Sequence, residues 1–111
     1  MESKAALSQL SALAQENRLA VFRLLVKAGH DGLPAGEIAA VLDVPANTLS
    51  AQLNILSNAG LIEGRRQGRS IIYTANYDAI SGLIVFLMED CCQGREEICT
   101  PVMVAARSAC C

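Results

Sequence analysis

One stretch decides the fold of this chain: LDVPANTLSAQLNILSNAGLI, residues 42–62. It predicts a single helix with a marked beginning and end. Pro45 suits the first helical position, where a missing N–H costs nothing, and Gly60 suits the left-handed residue that closes a helix. The apolar residues recur at i, i+4 and i+7 and so form a stripe that faces a core. They are Leu49, Leu53 and Leu56.

The other side of this helix carries short, uncharged polar side chains. Such groups donate and accept hydrogen bonds, as base edges in the major groove of DNA require. The alternative is an ordinary solvent-facing side, but that is usually rich in Lys and Glu, and this one has neither. The candidate base-contacting residues are Asn47, Thr48, Ser50, Ala51, Gln52 and Asn54.

A short helix is predicted before this stretch, opened by Pro34 and followed by a tight turn over residues 43–45. A short helix, a turn and a longer helix form a helix-turn-helix, whose second helix enters the major groove. Two further helices are predicted upstream, over residues 3–14 and 17–29, and residues 30–34 are predicted to be a loop from their Gly and Pro content.

A β-hairpin is predicted after the long helix. Residues 61–66 and the β-branched, aromatic run 70–75 flank a turn that contains Gly68. A hairpin in this place forms a wing whose arginines lie on phosphates or enter the minor groove. The alternative is an edge hairpin that its charges keep soluble. The candidate DNA contacts at its tip are Arg65, Arg66, Gln67 and Arg69.

A last helix is predicted from Tyr77, with apolar residues on two of its faces. The core of a small domain covers only one face of a terminal helix, so the second face needs a partner, most simply another copy of the chain. We therefore predict a homodimer through the first and last helices. The candidate interface residues are Leu7, Leu10, Leu83, Ile84, Phe86 and Leu87.

Composition places the chain in a class. Its 111 residues allow one domain with one modest core. The net charge of −2 is uneven: residues 46–75 carry three arginines and one glutamate, whereas residues 76–111 carry two arginines and five acidic residues. This suits a DNA-facing edge and a separate acidic edge. We find no signal peptide, no span for a membrane and no nucleophile–base pair, so we expect a cytoplasmic protein that is not an enzyme.

All five cysteines lie in the last quarter of the chain, at positions 91, 92, 99, 110 and 111. An odd number in a cytosolic protein is not a disulfide framework. We therefore divide the chain into a DNA-binding and dimerisation domain, residues 1–90, and a cysteine-rich sensing tail, residues 91–111. Thiolates suit a soft, thiophilic ion. Zinc is the weaker alternative because it usually takes four ligands, and His30, the single histidine, is far along the chain.

The order of elements resembles that of the ArsR-type winged-helix repressors over residues 3–90. Specific marks are Asn17-Arg18-Leu19, Leu53-Asn54-Ile55-Leu56 followed by Ala59-Gly60-Leu61-Ile62, and Gly64-Arg65-Arg66-Gln67-Gly68-Arg69 followed by Tyr73. The resemblance implies a mainly α fold with a β-hairpin: a winged helix-turn-helix in the order α-α-α-α-β-β-α that binds operator DNA as a homodimer. Family members commonly carry Ser-x-His-Leu on the reading helix, where this chain has Ser50-Ala51-Gln52-Leu53.

The resemblance also implies how a repressor of this type is released. The best-known arsenic site of the family is a Cys-Val-Cys box. The matching region here, residues 34–39, contains no cysteine, so that site is absent. A subset of the family is similar in having an adjacent cysteine pair at the end of the last helix and one more shortly after. This chain has Cys91, Cys92 and Cys99 in that arrangement, and Cys110 and Cys111 are additional candidate ligands. The implied inducer is As(III) or Sb(III) held by three sulfurs, with no permanently bound cofactor.

Helix geometry constrains such a site. Successive residues on a helix point about 100° apart, so Cys91 and Cys92 would not both reach one atom from an undistorted helix. We therefore expect the helix to end or unwind there, with Gln93-Gly94 as the break. A ligand that reshapes this point would reshape the dimer and hence the spacing of the two reading helices.

Two alternatives remain. One is a repressor that senses oxidants. Against it, reactive thiols usually lie near positive charge, whereas the cysteines of this chain are predicted at a helix C-terminus among acidic residues. The other is a thiol protein that sequesters metalloids and does not bind DNA.

Overall fold

The computed structural model describes residues 2–89 and 96–110, with the backbone alone at positions 96, 98, 99 and 110. Its helices and strands follow one another in the order α1 Ser3–Leu13, α2 Glu16–Ala28, β1 Leu33–Pro34, α3 Ala35–Leu42, α4 Ala46–Asn58, β2 Ile62–Gln67, β3 Ser70–Ala75, α5 Tyr77–Met88 and α6 Glu96–Cys110. A single 3-10 turn, Gly29–Asp31, precedes β1. The winged helix-turn-helix prediction is confirmed.

The helix-turn-helix consists of α3, a tight turn and α4. Asp43 takes left-handed backbone angles, and the N–H of Val44 donates to the carbonyl of Ala39 over 3.1 Å. Pro45 precedes the helix rather than opening it, since α4 begins at Ala46. Gly60 has φ +79°, as its role in closing the helix requires.

The wing is the hairpin of β2 and β3, joined by Gly68 at φ +64°. The sheet has a third strand that the sequence did not predict, because Leu33 pairs with Tyr73 and Pro34 with Ile72. The order of strands is therefore β1-β3-β2. This pairing attaches the segment before α3 to the middle of β3.

The core lies among α2, α3, α4 and the start of the wing. Leu25, Ile38 and Leu56 are fully buried there. The predicted inner stripe of α4 is confirmed, because Leu49 and Leu53 join the same cluster. Burial of this stripe turns the opposite, polar side of α4 outward.

The C-terminal region differs from the sequence prediction. α5 ends at Met88, and Glu89 has extended backbone angles. Most of the predicted tail forms the helix α6, which contains Pro101 and exposes Val102 and Met103. No helix in the described ranges is both long and apolar enough to cross a membrane.

A close approach between Gly32 and β3 leads to a first prediction. Gly32 has φ +71° and ψ −170°, a region essentially restricted to glycine. A Cβ there would collide with the carbonyl oxygen of Tyr73 and lie 2.7 Å from the methyl carbon of Thr74. Gly29 has similar angles, φ +72° and ψ −158°, but open space around it.

We expect Gly29→Ala to lower the free energy of unfolding by about 1–3 kcal/mol, the cost of the backbone strain. Gly32→Ala should cost more, because β1 and β3 must also separate. Urea unfolding of the two variants measures the difference. Equal losses would show that the contact with β3 has no energetic weight.

Candidate nucleic-acid interface

The outer side of α4 is polar and uncharged in the structure, as predicted. Asn47, Ser50, Ala51 and Asn54 are exposed, whereas Thr48 is half-buried. The Oδ1 atom of Asn47 accepts a hydrogen bond from the Thr48 N–H over 3.0 Å. The exposed groups can therefore meet base edges without first leaving a core, and their roles as base contacts stay predictions.

The three arginines of the wing differ in the contacts of their side chains. Arg65 donates from Nη2 to the carbonyl of Asp31 over 3.3 Å, so it is held against the 3-10 turn. Arg66, Gln67 and Arg69 are exposed, and within the described chain the side chains of the two arginines make no hydrogen bond or ion pair. Arg66 and Arg69 are therefore the better placed of the predicted phosphate contacts.

A groove of about 430 Å³ joins the helix-turn-helix to the wing. It brings together Ser50, from the polar side of α4, and Arg69, from the wing. The groove is lined by Pro34, Ala35, Gly36, Ala39, Ala46, Leu49, Ser50, Leu53, Arg69, Ser70, Ile71 and Tyr73. The helix and the wing thus share one surface, which a duplex can contact at two places.

Gln52 has another partner than the predicted base. Its Oε1 atom accepts a hydrogen bond from Nη1 of Arg18 over 3.0 Å, and its side chain is half-buried. The polar pattern of the helix did not reveal this, because Arg18 lies 34 residues away in the sequence. In the sequence, Arg18 belongs to the family mark Asn17-Arg18-Leu19, and no local signal gives it a role.

The six predicted dimer residues differ in their exposure. Leu7 is 66% exposed and Ile84 is 53% exposed, and Leu10 and Leu87 also lie at the surface. Phe86 is half-buried. The prediction for Leu83 needs correction, because this side chain is 2% exposed and has no surface left for a partner. Leu83 is thus buried within one chain, although it lies outside the core cluster, and its helix neighbours Ile84 and Leu87 stay exposed.

The predicted sensing cysteines fall largely outside the described structure. Cys91, Cys92 and Cys111 lie beyond the described residues, and Cys110 is the last residue of α6. α5 ends before the Cys91–Cys92 pair and upstream of the predicted break at Gln93-Gly94. Where side chains are described, no three His, Cys, Asp or Glu residues group closely enough to hold a metal ion.

Cys99 requires a second correction. It lies in the first turn of α6, and not beyond a helix C-terminus as predicted. The first turn of a helix favours negative charge, because the unpaired N–H groups there give it a partial positive charge. Its predicted role as a metal ligand stays a prediction, and the acidic residues Glu96 and Glu97 lie in the same turn.

The chain is similar to known DNA-binding regulators. A family model of a helix-turn-helix domain matches residues 13–65. The HTH-type transcriptional regulator YgaV of Escherichia coli (strain K12) is 30% identical over 83 residues, which cover 75% of this chain and 82% of YgaV. The chain belongs to the helix-turn-helix transcriptional regulators. Its relatives are DNA-binding regulators and not enzymes, in agreement with the sequence analysis.

Two other proteins show further similarity to this chain. The HTH-type transcriptional regulator NmtR of Mycobacterium tuberculosis is 37% identical over 67 residues, 60% of this chain and 53% of NmtR. The chain thus spans about half the length of that relative. The homodimeric winged helix-turn-helix DNA-binding domain Mb0332 of Mycobacterium bovis, a possible ArsR-family regulator, shares the fold. Its TM-score is 0.64 at 24% identity, covering 85% of this chain and 84% of that domain. The resemblance is confirmed as that of a regulator with the ArsR-type winged-helix fold.

Proposed function

We propose that this regulator is a repressor that binds operator DNA as a homodimer and is released when As(III) or Sb(III) binds its C-terminal thiolates. The observation that carries the DNA-binding part is the shared surface of α4 and the wing, where Ser50 and Arg69 line one groove. The protein would act in the cytoplasm, a compartment in which thiols stay reduced.

DNA recognition would divide between the two elements. α4 enters the major groove with Asn47, Ser50 and Asn54 toward base edges, since amides and hydroxyls match both donors and acceptors there. Arg66 and Arg69 of the wing lie on phosphates, which set the position of the protein but carry no sequence information.

A homodimer supplies what one subunit lacks. Each chain has few cations beside α4, and a second copy doubles the number of phosphate contacts. The exposed apolar residues Leu7 on α1 and Ile84 on α5 support these helices as the interface. Two reading helices related by a twofold axis then meet half-sites about 34–36 Å apart.

The sensing part rests on the chemistry and placement of the cysteines. Cys91, Cys92 and Cys99 offer three soft thiolates, the donor set that a thiophilic ion prefers. They follow the end of α5 and include the first turn of α6. An ion bound by all three would tie the start of α6 to the chain that leaves α5. That constraint would act close to Ile84 and Leu87, and so on the dimer.

DNA binding in the presence of arsenite tests the proposal. Fluorescence polarisation would use DNA from upstream of the protein's own coding region, under reducing conditions. We expect arsenite to weaken wild-type binding by about 5–150-fold, a coupling typical of allosteric regulators. Cys91→Ser should bind DNA as tightly as wild type and lose this response, because one of three sulfurs is gone.

Cys110→Ser is the matched control and should respond as wild type does. If arsenite released Cys91→Ser as readily as wild type, Cys91 would not be a ligand. DNA binding that arsenite leaves unchanged would retain the repressor and exclude arsenite as its inducer, and titration with hydrogen peroxide would then test oxidant sensing. Absence of any salt-dependent DNA binding would favour a sequestering protein.

A further inference from the structure

Arg18 connects three helices through its side chain. It lies in the first part of α2, and its Nε atom donates to the carbonyl of Ala12 over 2.6 Å. Nη2 reaches the carbonyl of Ser11 at 3.5 Å, and Nη1 donates to Oε1 of Gln52 over 3.0 Å. One guanidinium therefore contacts the C-terminal end of α1 and the half-buried flank of α4.

The chemistry of each partner favours this arrangement. The last carbonyls of a helix lack the usual helical partner. That of Ala12 accepts from Arg18, and that of Ser11 accepts from the N–H of Ala14 over 3.2 Å as well as from Arg18. A guanidinium is planar, always charged and rigid in the directions of its donors. Because its nitrogens bond to both α1 and α4, this one rigid group constrains the angle between the two helices.

Gln52 could act on DNA by direct contact with a base or by supporting α4 through Arg18. As a base reader it would present its amide to the groove, as its place on α4 suggests. Its Oε1 atom is instead engaged with Arg18 and the side chain is half-buried. To turn outward it would give up a hydrogen bond to a charged donor, a stronger class of hydrogen bond than one between neutral groups.

We propose that Arg18 and Gln52 are positioning residues that hold α4 at a fixed angle to the end of α1. Gln52 thereby supports DNA affinity through Arg18, and not by contact with a base. The inference rests on the proposed binding of DNA by α4. It assigns to Gln52 a role different from that of its exposed neighbours Ser50 and Asn54.

The consequence is a direct connection between the dimer and the reading helix. α1 carries the exposed residues Leu7 and Leu10 of the proposed interface at one side, and its end is bonded to Arg18. Changes in the orientation of α1 are therefore passed to α4 through the guanidinium. The spacing of two reading helices in a dimer depends on such angles.

A double-mutant cycle tests the pair. Arg18→Met and Gln52→Met keep most of the apolar stem and remove the donor and the acceptor. We expect each to weaken binding of the upstream DNA by about 10-fold, which is 1.4 kcal/mol. The double variant should also be weakened by about 10-fold, since the second change removes a partner that is already lost.

The control cycle combines Arg18→Met with Asn54→Ala, an exposed residue on the same helix. Here the fold-changes should multiply. A second measurement uses operators with single base changes: Gln52→Met should retain the wild-type ranking of these operators, whereas loss of a base reader flattens the preference at one base pair. Multiplicative losses for Arg18 and Gln52, or a flattened preference, would overturn the proposal.

Urea unfolding of the same variants separates this inference from the proposed function. If the wild-type protein binds no upstream DNA, the proposed function fails at that point. The free energies of unfolding then test the bond between Arg18 and Gln52 without DNA. A double variant that is no less stable than the less stable single variant supports this bond between α2 and α4. Additive destabilisation contradicts it.

Discussion

Leu56→Ala should lower the free energy of unfolding by about 2–5 kcal/mol, the range for a leucine truncated in a packed core. Leu56 is 0% exposed and lies on the inner side of α4, between this helix and the rest of the core cluster. Its loss leaves a cavity that neighbouring side chains only partly fill. Since domains of this size are stable by about 5–15 kcal/mol, the change removes a large share of the total.

Ile55→Ala is the matched control. Ile55 is the adjacent residue of the same helix and is 42% exposed, so the change alters helix propensity similarly but removes fewer buried contacts. We expect it to cost under about 1 kcal/mol. Urea or guanidinium unfolding followed by circular dichroism compares the two. Similar losses for Leu56 and Ile55 would mean that the inner side of α4 is not packed as described.

The double variant Arg66→Ala, Arg69→Ala should reduce the dependence of DNA binding on salt. Each phosphate contact contributes about −0.9 to the slope of log K against log salt. In a homodimer the double variant removes four contacts, so the slope should become less negative by about 3.6. At about 0.1 M salt this corresponds to a loss of affinity of roughly 10³–10⁴-fold.

Arg23→Ala serves as the control for charge. Arg23 is an exposed cation on α2 and has no place in the groove between α4 and the wing. Its removal changes the net charge but should leave the slope nearly unchanged. Polarisation titrations at several salt concentrations give both slopes. A wild-type slope in the double variant would favour the alternative, in which the wing charges only keep an edge strand from aggregating.

Much of the fold was predictable because its signals are local. Pro34, Pro45 and Gly60 lie at helix boundaries within a residue of the predicted places. The stripe of Leu49, Leu53 and Leu56 correctly gave the inner side of α4, since a helical period reports which face is apolar. The hairpin followed in the same way from a β-branched run and a glycine turn.

Non-local partners were not predictable. β1 exists because Leu33 meets Tyr73 across the sheet, and two residues have no strand signal of their own. Leu83 belongs to an apolar stripe that could face a partner or the chain's own core, and periodicity does not distinguish them. The helix α6 was not predicted, and Pro101 in its interior is a local signal against a helix.

Gln52 shows most directly what the sequence alone could not decide. The sequence determined that this residue lies beside the polar face of a helix, because local spacing sets the face of a helix. The tertiary structure determined that its acceptor bonds to Arg18, 34 residues earlier in the chain. Whether a surface amide is left for DNA depends on which distant side chain reaches it, and that is set only when α1, α2 and α4 pack together.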